Sequence, residues 1–204
     1  MSAQPEDALP DHFTAQKQLQ SEADEIVRLL RLDELLSAVG QPVRVGSSAM
    51  GLMVRRDIDI TVVCLRLDAE VLEAFAGIGA RLMQATQSVV AVRFRNDAGN
   101  WNAEPDKYPD GFYLWLSVRG SDGAMWTVDI WLVDKPERQP DLGHLKTLAP
   151  RLTDASRQTI LQIKTVLAER EKGAHRVPSA LVYEAVLDHG VRTAAEFEAW
   201  RLAR

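Results

Sequence analysis

Residues 45–60 of this chain read Val45-Gly46-Ser47-Ser48-Ala49-Met50-Gly51-Leu52-Met53-Val54-Arg55-Arg56-Asp57-Ile58-Asp59-Ile60. This pattern predicts a strand, a tight turn at Gly46 and Ser47, a short helix, and a second strand that begins with two carboxylates. Because side chains alternate along a strand, Asp57 and Asp59 point to the same face, with their Cα atoms about 6.6 Å apart. Carboxylates at that spacing can share one or two hard divalent cations, which prefer oxygen ligands.

A third carboxylate, Asp129, lies inside the otherwise apolar strand that we predict between Met125 and Val133. A buried charge costs several kcal/mol unless it is paired or bound to a metal ion, so Asp129 needs a partner. Backbone N–H groups at the Gly46-Ser47 turn would form a phosphate site at a helix N-terminus. Together these features predict a site that holds a triphosphate and Mg²⁺ beside an activated hydroxyl.

The rest of the chain predicts an α/β (α+β) fold, with a small mixed sheet flanked by helices and a helical C-terminal subdomain. We expect a tail at residues 1–10, a catalytic domain at 11–138 and the helical subdomain at 139–204. The expected helices cover residues 11–38, 68–84, 153–172, 179–188 and a last one from 193. A kink or break is expected near Gly77 and Gly79, and Gly173 is expected to end the third helix. The expected strands cover residues 43–45, 57–65, 88–94, 112–119 and 125–133.

A long loop is expected between Arg95 and Gly111. Loops of such length are often functional. Trp101 and Tyr108 either anchor this loop or face a ligand, and Arg93 and Arg95 are either ligand contacts or simply exposed.

Composition limits the classes of function. The net charge of −5 argues against a non-specific nucleic-acid binder but permits binding of one nucleotide. A single cysteine, Cys64, excludes an intrachain disulfide, and the four scattered histidines do not suggest a zinc site. No signal peptide or membrane span is predicted, so the cytoplasm is the expected location.

The motif also resembles that of a known family. Gly46-Ser47, nine intervening residues and then Asp57-Ile58-Asp59-Ile60 are similar to the signature of the polymerase-β-like nucleotidyltransferase superfamily. The form Gly-Ser-x-Ala-x-Gly resembles its small bacterial and antibiotic-modifying members. The resemblance implies that Gly46 and Ser47 cradle the β- and γ-phosphates, and that Asp57 and Asp59 ligate Mg²⁺, with two ions expected. It also implies that Asp129 completes the metal site and helps to activate the acceptor hydroxyl.

The chain departs from the family pattern at two positions. Many small members carry Arg where this chain has Met50, and Ser where it has Arg56. Arg55 and Arg56 are close enough in sequence to supply a nucleotide contact, although either could be merely solvated. Lys164 either covers the edge of the core with its aliphatic stem or points its ammonium at the triphosphate. Glu184 is either an acceptor-side base or a solvated surface residue.

The sequence therefore favours an enzyme that transfers a nucleoside monophosphate from an NTP, such as ATP, to a hydroxyl acceptor with Mg²⁺. A small-molecule acceptor is expected, and a nucleic acid is less expected. Three acidic residues of the long loop would suit a cationic acceptor such as an aminoglycoside: Glu104, Asp106 and Asp110.

Several alternatives stay open. One is a toxin-type enzyme that modifies tRNA or protein, and another is a non-catalytic nucleotide-binding module. A glycosyltransferase or a chance Asp-x-Asp pair is less favoured, because neither accounts for both the Gly-Ser turn and Asp129. The sequence does not specify the preferred base or the oligomeric state.

Overall fold

The computed structural model describes residues 12–170 and 176–204. Helices and strands occupy most of this part of the chain, and three short 3₁₀ turns lie at Gly99–Trp101, Pro136–Arg138 and Ala149–Arg151. In chain order the elements are α1 (His12–Leu29), α2 (Leu32–Leu36), β1 (Gln41–Val45), α3 (Gly46–Met50), β2 (Asp57–Val63), α4 (Ala69–Met83), β3 (Val89–Asp97), β4 (Gly111–Arg119), β5 (Met125–Val133), α5 (Pro140–Thr147), α6 (Asp154–Arg170), α7 (Ser179–His189) and α8 (Ala194–Leu202).

The strands form one mixed sheet in the order β1-β2-β5-β4-β3. β2 and β5 are parallel, and the other neighbouring pairs are antiparallel. A parallel pair requires a long crossover, which here contains α4, β3 and β4. The predicted hairpin between β4 and β5 is confirmed, and so is the α/β fold with a small mixed sheet flanked by helices.

Two apolar cores stabilise the structure. The first packs buried residues of α1, α2 and α4 against one face of the sheet, where Ile58 and Ile60 of β2 lie. The second joins Met50 and Leu52, which follow β1, to α6, α7 and α8. Because the second core includes residues from both sides of position 139, the predicted domain boundary there stays a prediction.

The first helix differs from its prediction, because the chain forms α1 and α2 in place of one helix. Arg31 separates them with a left-handed backbone (φ 52°). Its neighbours Leu30 and Leu32 are both buried in the first core. The break therefore lets Leu30 and Leu32, which flank Arg31, both point into the core. Residues two positions apart on a continuous helix would not share one apolar stripe.

Of the kink or break predicted near Gly77 and Gly79, the break is wrong, because α4 runs without interruption from Ala69 to Met83. Gly79 instead permits close packing, since a Cβ there would overlap the ring of Phe94. β3 extends to Asp97, so the long loop is shorter than predicted, and α5 occupies a segment that the sequence did not predict to be helical. The expected tail at residues 1–10 and the helix end at Gly173 lie outside the described residues.

Helix caps explain two of the predicted boundaries. The Asp68 carboxylate accepts a hydrogen bond from the N–H of Val71 (3.0 Å) at the start of α4. The Thr193 hydroxyl accepts one from the N–H of Glu196 (3.2 Å) at the start of α8. None of the helices within residues 12–170 and 176–204 is long and apolar enough to cross a membrane.

Candidate metal and nucleotide site

Three carboxylates converge on the face of the sheet opposite the first core. The parallel pairing of β2 and β5 places Asp59 directly beside Asp129 and Asp57 beside Thr127. One oxygen of each of Asp57, Asp59 and Asp129 lies within 4.8 Å of the other two. The Thr127 hydroxyl donates a hydrogen bond to Asp57, and the Tyr113 hydroxyl donates one to Asp129. The predicted convergence of the three Asp residues is therefore present.

The electrostatics of this triad fit a cation. Burial raises the pKa of Asp59 well above its usual value, and the charges of Asp57 and Asp129 raise it further, against an opposing effect of Lys164. Burial also raises the pKa of Asp129 to about 6, while the hydrogen bond from Tyr113 opposes the shift. Three half-buried carboxylates that repel one another supply the oxygen ligands of a hard divalent ion. The triad could therefore hold a metal ion.

Gly46 sets the position of one of these carboxylates. Its backbone is left-handed (φ 63°), and a Cβ at this position would overlap the carboxylate of Asp59. Glycine therefore serves both the turn and the close approach of the turn to Asp59. Gly46 and Ser47 are the first residues of α3, and Gly51, directly after this helix, has a second left-handed conformation (φ 66°).

Lys164 reaches this turn from the C-terminal helices. It is only 7 % exposed. Its Nζ donates hydrogen bonds to Ser47 Oγ (2.6 Å), to the carbonyl oxygen of Leu52 (2.7 Å) and to the hydroxyl of Tyr183 (3.3 Å). The sequence left two alternatives for Lys164. The one in which its stem covers the edge of the core and its ammonium stays in solvent is wrong, because the ammonium is buried and hydrogen-bonded. The charge lies beneath the Gly46-Ser47 turn.

Two adjoining cavities lie between the sheet and the C-terminal helices, and Ser47, Asp57 and Asp59 line both. The first also has Arg55 and Lys164 in its wall. The remaining polar residues of the second are Tyr108, Asp141, His144, Ser179 and Tyr183. The predicted turn, two carboxylates of the triad and two of the predicted cations therefore line these adjoining cavities, which we call the cleft. Asp129 lies beside it, with an oxygen within 4.8 Å of one from Asp57 and one from Asp59.

Two residues singled out in the sequence lie elsewhere. Arg56 is absent from the lining of both cavities and forms ion pairs with Glu22 (3.4 Å) and Asp122 (3.5 Å). Its role in nucleotide binding stays a prediction. Glu184 points to the surface, where it pairs with Arg204 (2.7 Å).

Sequence reasoning missed several polar neighbours of the site. Thr127 could have been found, because it shares the face of Asp129 by simple alternation. Tyr113 requires the register of the β4–β5 hairpin, which places it diagonally beside Asp129. Tyr183 and Arg176, whose Nη1 lies 3.7 Å from Asp57, carry no local signal because they come from distant segments of the chain.

The fold is similar to that of solved nucleotidyltransferases. A mutant of the Cid1 poly(U) polymerase bound to MgATP matches with a TM-score of 0.51 and 16% sequence identity, covering 90% of this chain and 51% of that one. Terminal uridylyl transferase 4 from Trypanosoma brucei with bound UPU matches with a TM-score of 0.42 and 14% identity, covering 88% and 60% of the two chains.

Other comparisons limit what this similarity shows. No protein-family model and no curated protein matches the chain. The chain also spans only about half the length of the Cid1 structure. At such low identity the similarity concerns the fold, and the chain has a nucleotidyltransferase fold.

Proposed function

We propose that this protein is a Mg²⁺-dependent nucleotidyltransferase, which moves a nucleoside monophosphate from an NTP to a hydroxyl acceptor. The observation that carries the proposal is the convergence of Asp57, Asp59 and Asp129 within 4.8 Å of one another, beside the Gly46-Ser47 turn. A chance Asp-x-Asp pair would not bring a third, half-buried carboxylate from a neighbouring strand into register.

The residues of the cleft divide the task between them. Asp57, Asp59 and Asp129 would hold Mg²⁺, with two ions expected from the family resemblance. Bound Mg²⁺ lowers the pKa of the acceptor hydroxyl and neutralises charge on the phosphates. Gly46 and Ser47 would bind the β- and γ-phosphates through backbone N–H groups.

Two cations and one base complete the assignment. Lys164 lies within hydrogen-bond distance of Ser47, so its charge would act on the same phosphates, and Arg55 lines the same cavity.

The acceptor oxygen bonds to the α-phosphorus while the bond from that phosphorus to the bridging oxygen breaks. Pyrophosphate leaves in line, and the hydroxyl proton passes to the carboxylate of Asp129.

The type of acceptor is a separate question. The antibiotic-modifying type predicted from the motif would use a small cationic molecule and the acidic loop between β3 and β4. In the structure, Glu104 already pairs with Lys107 (3.4 Å), and Asp110 accepts a hydrogen bond from Asn102 (3.1 Å). These contacts reduce the support that the loop gives to a cationic acceptor.

The test uses the full chain with Mg²⁺, each α-labelled NTP in turn, and a panel of small-molecule, tRNA and protein acceptors. We expect transfer of label and release of pyrophosphate with at least one pair of substrates. Asp57→Asn and Asp59→Asn should abolish both. A control, Asp188→Asn, should not, because it removes only an exposed carboxylate that pairs with Arg151. NTP binding without pyrophosphate release would instead identify a non-catalytic nucleotide-binding module.

A further inference from the structure

The face of the sheet that carries the triad continues beyond Asp129 as an aromatic and cationic surface. One row across the sheet runs from Arg93 through Trp115 and Asp129 to Asp59. The next row places three further side chains on the same face: Arg95, Tyr113 and Trp131. Flat rings therefore lie directly beside the third carboxylate of the proposed metal site.

The arginines of this surface lie over the rings. The guanidinium carbon of Arg93 is 5.0 Å from the centroid of Trp115. That of Arg95 is 4.8 Å from the centroid of Tyr113 and 5.4 Å from that of Trp131. Both arginines are exposed, and Arg95 also donates a hydrogen bond to the Asp97 carboxylate (2.7 Å). The rings hold one face of each guanidinium, so the outer face is available to a ligand.

A cavity of about 620 Å³ opens at the end of this surface. We call it the aromatic pocket, defined by Arg95, Trp101, Tyr108 and Trp131, which all line it. Trp101 is 72 % exposed, so it does not anchor the loop through burial. Tyr108 also lines the cavity that contains Asp57 and Asp59. The aromatic pocket and the proposed nucleotide cleft therefore share a wall.

We propose that the aromatic pocket binds a nucleobase at the hydroxyl-bearing end of a single-stranded nucleic acid, which serves as the acceptor. Bases stack on aromatic rings and on arginine planes, and this contact tolerates any base sequence. A non-planar polyamine would gain no stacking here. The charged residues of the lining are already paired, Arg95 with Asp97 (2.7 Å) and Glu104 with Lys107 (3.4 Å), so stacking and not charge selects the ligand. Trp131 follows Asp129 by two residues on the same face, at a Cα separation of about 6.6 Å. A base on Trp131 would therefore bring its sugar hydroxyl towards Asp129.

The role of the bound strand end as acceptor rests on the proposed function, whereas its binding to the aromatic pocket does not. Binding itself can be measured without catalysis. The probe is a short fluorescein-labelled single-stranded oligouridylate. Its fluorescence anisotropy is followed as the 204-residue chain is added in a buffer that contains Mg²⁺. Unlabelled UMP and an aminoglycoside are then added as competitors.

Trp101 is the residue to change, because a side chain that is 72 % exposed contributes little to folding. For Trp101→Leu we expect the dissociation constant of the oligouridylate to rise about 10-fold, as for the loss of one stacked base. Trp101→Phe keeps a ring and should bind within a few-fold of the wild type. Affinity for MgATP should be unchanged in both variants, because Trp101 does not line the cavities around Ser47 and Asp57.

The outcomes separate this inference from the proposed function. Equal oligouridylate binding by Trp101→Leu and the wild type would overturn it, as would displacement of the probe by the aminoglycoside alone. Displacement by UMP at the affinity of the strand supports the pocket and identifies a free nucleotide as the source of the base. Suppose that Trp101→Leu loses oligouridylate binding while the wild type transfers no nucleotide to any acceptor of the panel. The proposed function is then refuted, and the assignment of the aromatic pocket still stands.

Discussion

Replacing Gly46 with alanine tests the contact that joins the turn to the triad. Gly46 has φ 63°, and an added Cβ would overlap the Asp59 carboxylate. The substitution therefore forces a left-handed alanine, and it pushes one of the proposed metal ligands out of its position. Both effects follow from geometry within the described residues and require no assumption about the substrate.

The two effects differ in size and can be separated. A left-handed conformation costs a non-glycine residue about 1–2 kcal/mol, and forcing extra atoms into a packed site typically costs a further 1–3 kcal/mol. We therefore expect Gly46→Ala to lower the free energy of unfolding by about 2–5 kcal/mol. Displacement of a positioned metal ligand should weaken Mg²⁺ binding about 10- to 100-fold, as the loss of supporting contacts around metal sites does.

Two other glycines of this chain supply matched controls. Gly190 has a similar backbone (φ 67°), but a Cβ there meets nothing within 4 Å, so Gly190→Ala isolates the conformational cost. Gly77 lies within α4 with open space around it, so Gly77→Ala should stabilise the protein by about 0.5–1 kcal/mol. Urea unfolding and calorimetric titration with Mg²⁺ measure the two quantities. If Gly46→Ala loses no more stability than Gly190→Ala and still binds Mg²⁺ like the wild type, the reasoning is refuted.

Three further substitutions test other parts of the site and fold. Lys164→Met should raise the KM for NTP about 10-fold or more, because it removes a charged hydrogen-bond donor beside Ser47, whereas the exposed Lys146→Met should leave that KM unchanged. Tyr113→Phe should lower kcat about 10-fold without changing the KM for NTP, since the Tyr113 hydroxyl contacts Asp129. Steady-state kinetics with both substrates varied measure the two constants, and a raised KM for NTP would contradict the prediction. Thr193→Ala should cost about 1 kcal/mol in urea unfolding through the lost cap of α8, with no effect on transfer.

The triad was predictable from the sequence because its signals are local. Alternation along a strand places Asp57 and Asp59 on one face, and a lone charge in an apolar strand marks Asp129. Neither rule requires knowledge of which strands are neighbours. The pairing of β2 with β5 then converts two local patterns into one site, and the physical requirement that a buried charge finds a partner anticipates that pairing.

The remaining neighbours depend on long-range packing, which local patterns do not encode. Tyr113 reaches Asp129 only through the register of an antiparallel pair, and a shift by one residue would turn it to the other face. Tyr183 approaches Ser47 from 136 positions away in the chain. The break at Arg31 has the same origin, because it is the burial of Leu30 and Leu32 that favours it over a continuous helix.

The position of the Gly46-Ser47 turn depends on both halves of the molecule. Gly46 begins α3 directly after β1, so the sheet fixes where the turn starts. Met50 and Leu52, just downstream, are buried in the core formed with α6, α7 and α8. Lys164 connects the same helices to Ser47 and to the carbonyl oxygen of Leu52. The sheet therefore positions the carboxylates, while the C-terminal helices position the turn and supply its cation. A nucleotide that requires both must contact both, so the C-terminal helices are part of the proposed active site and not an appendage to it.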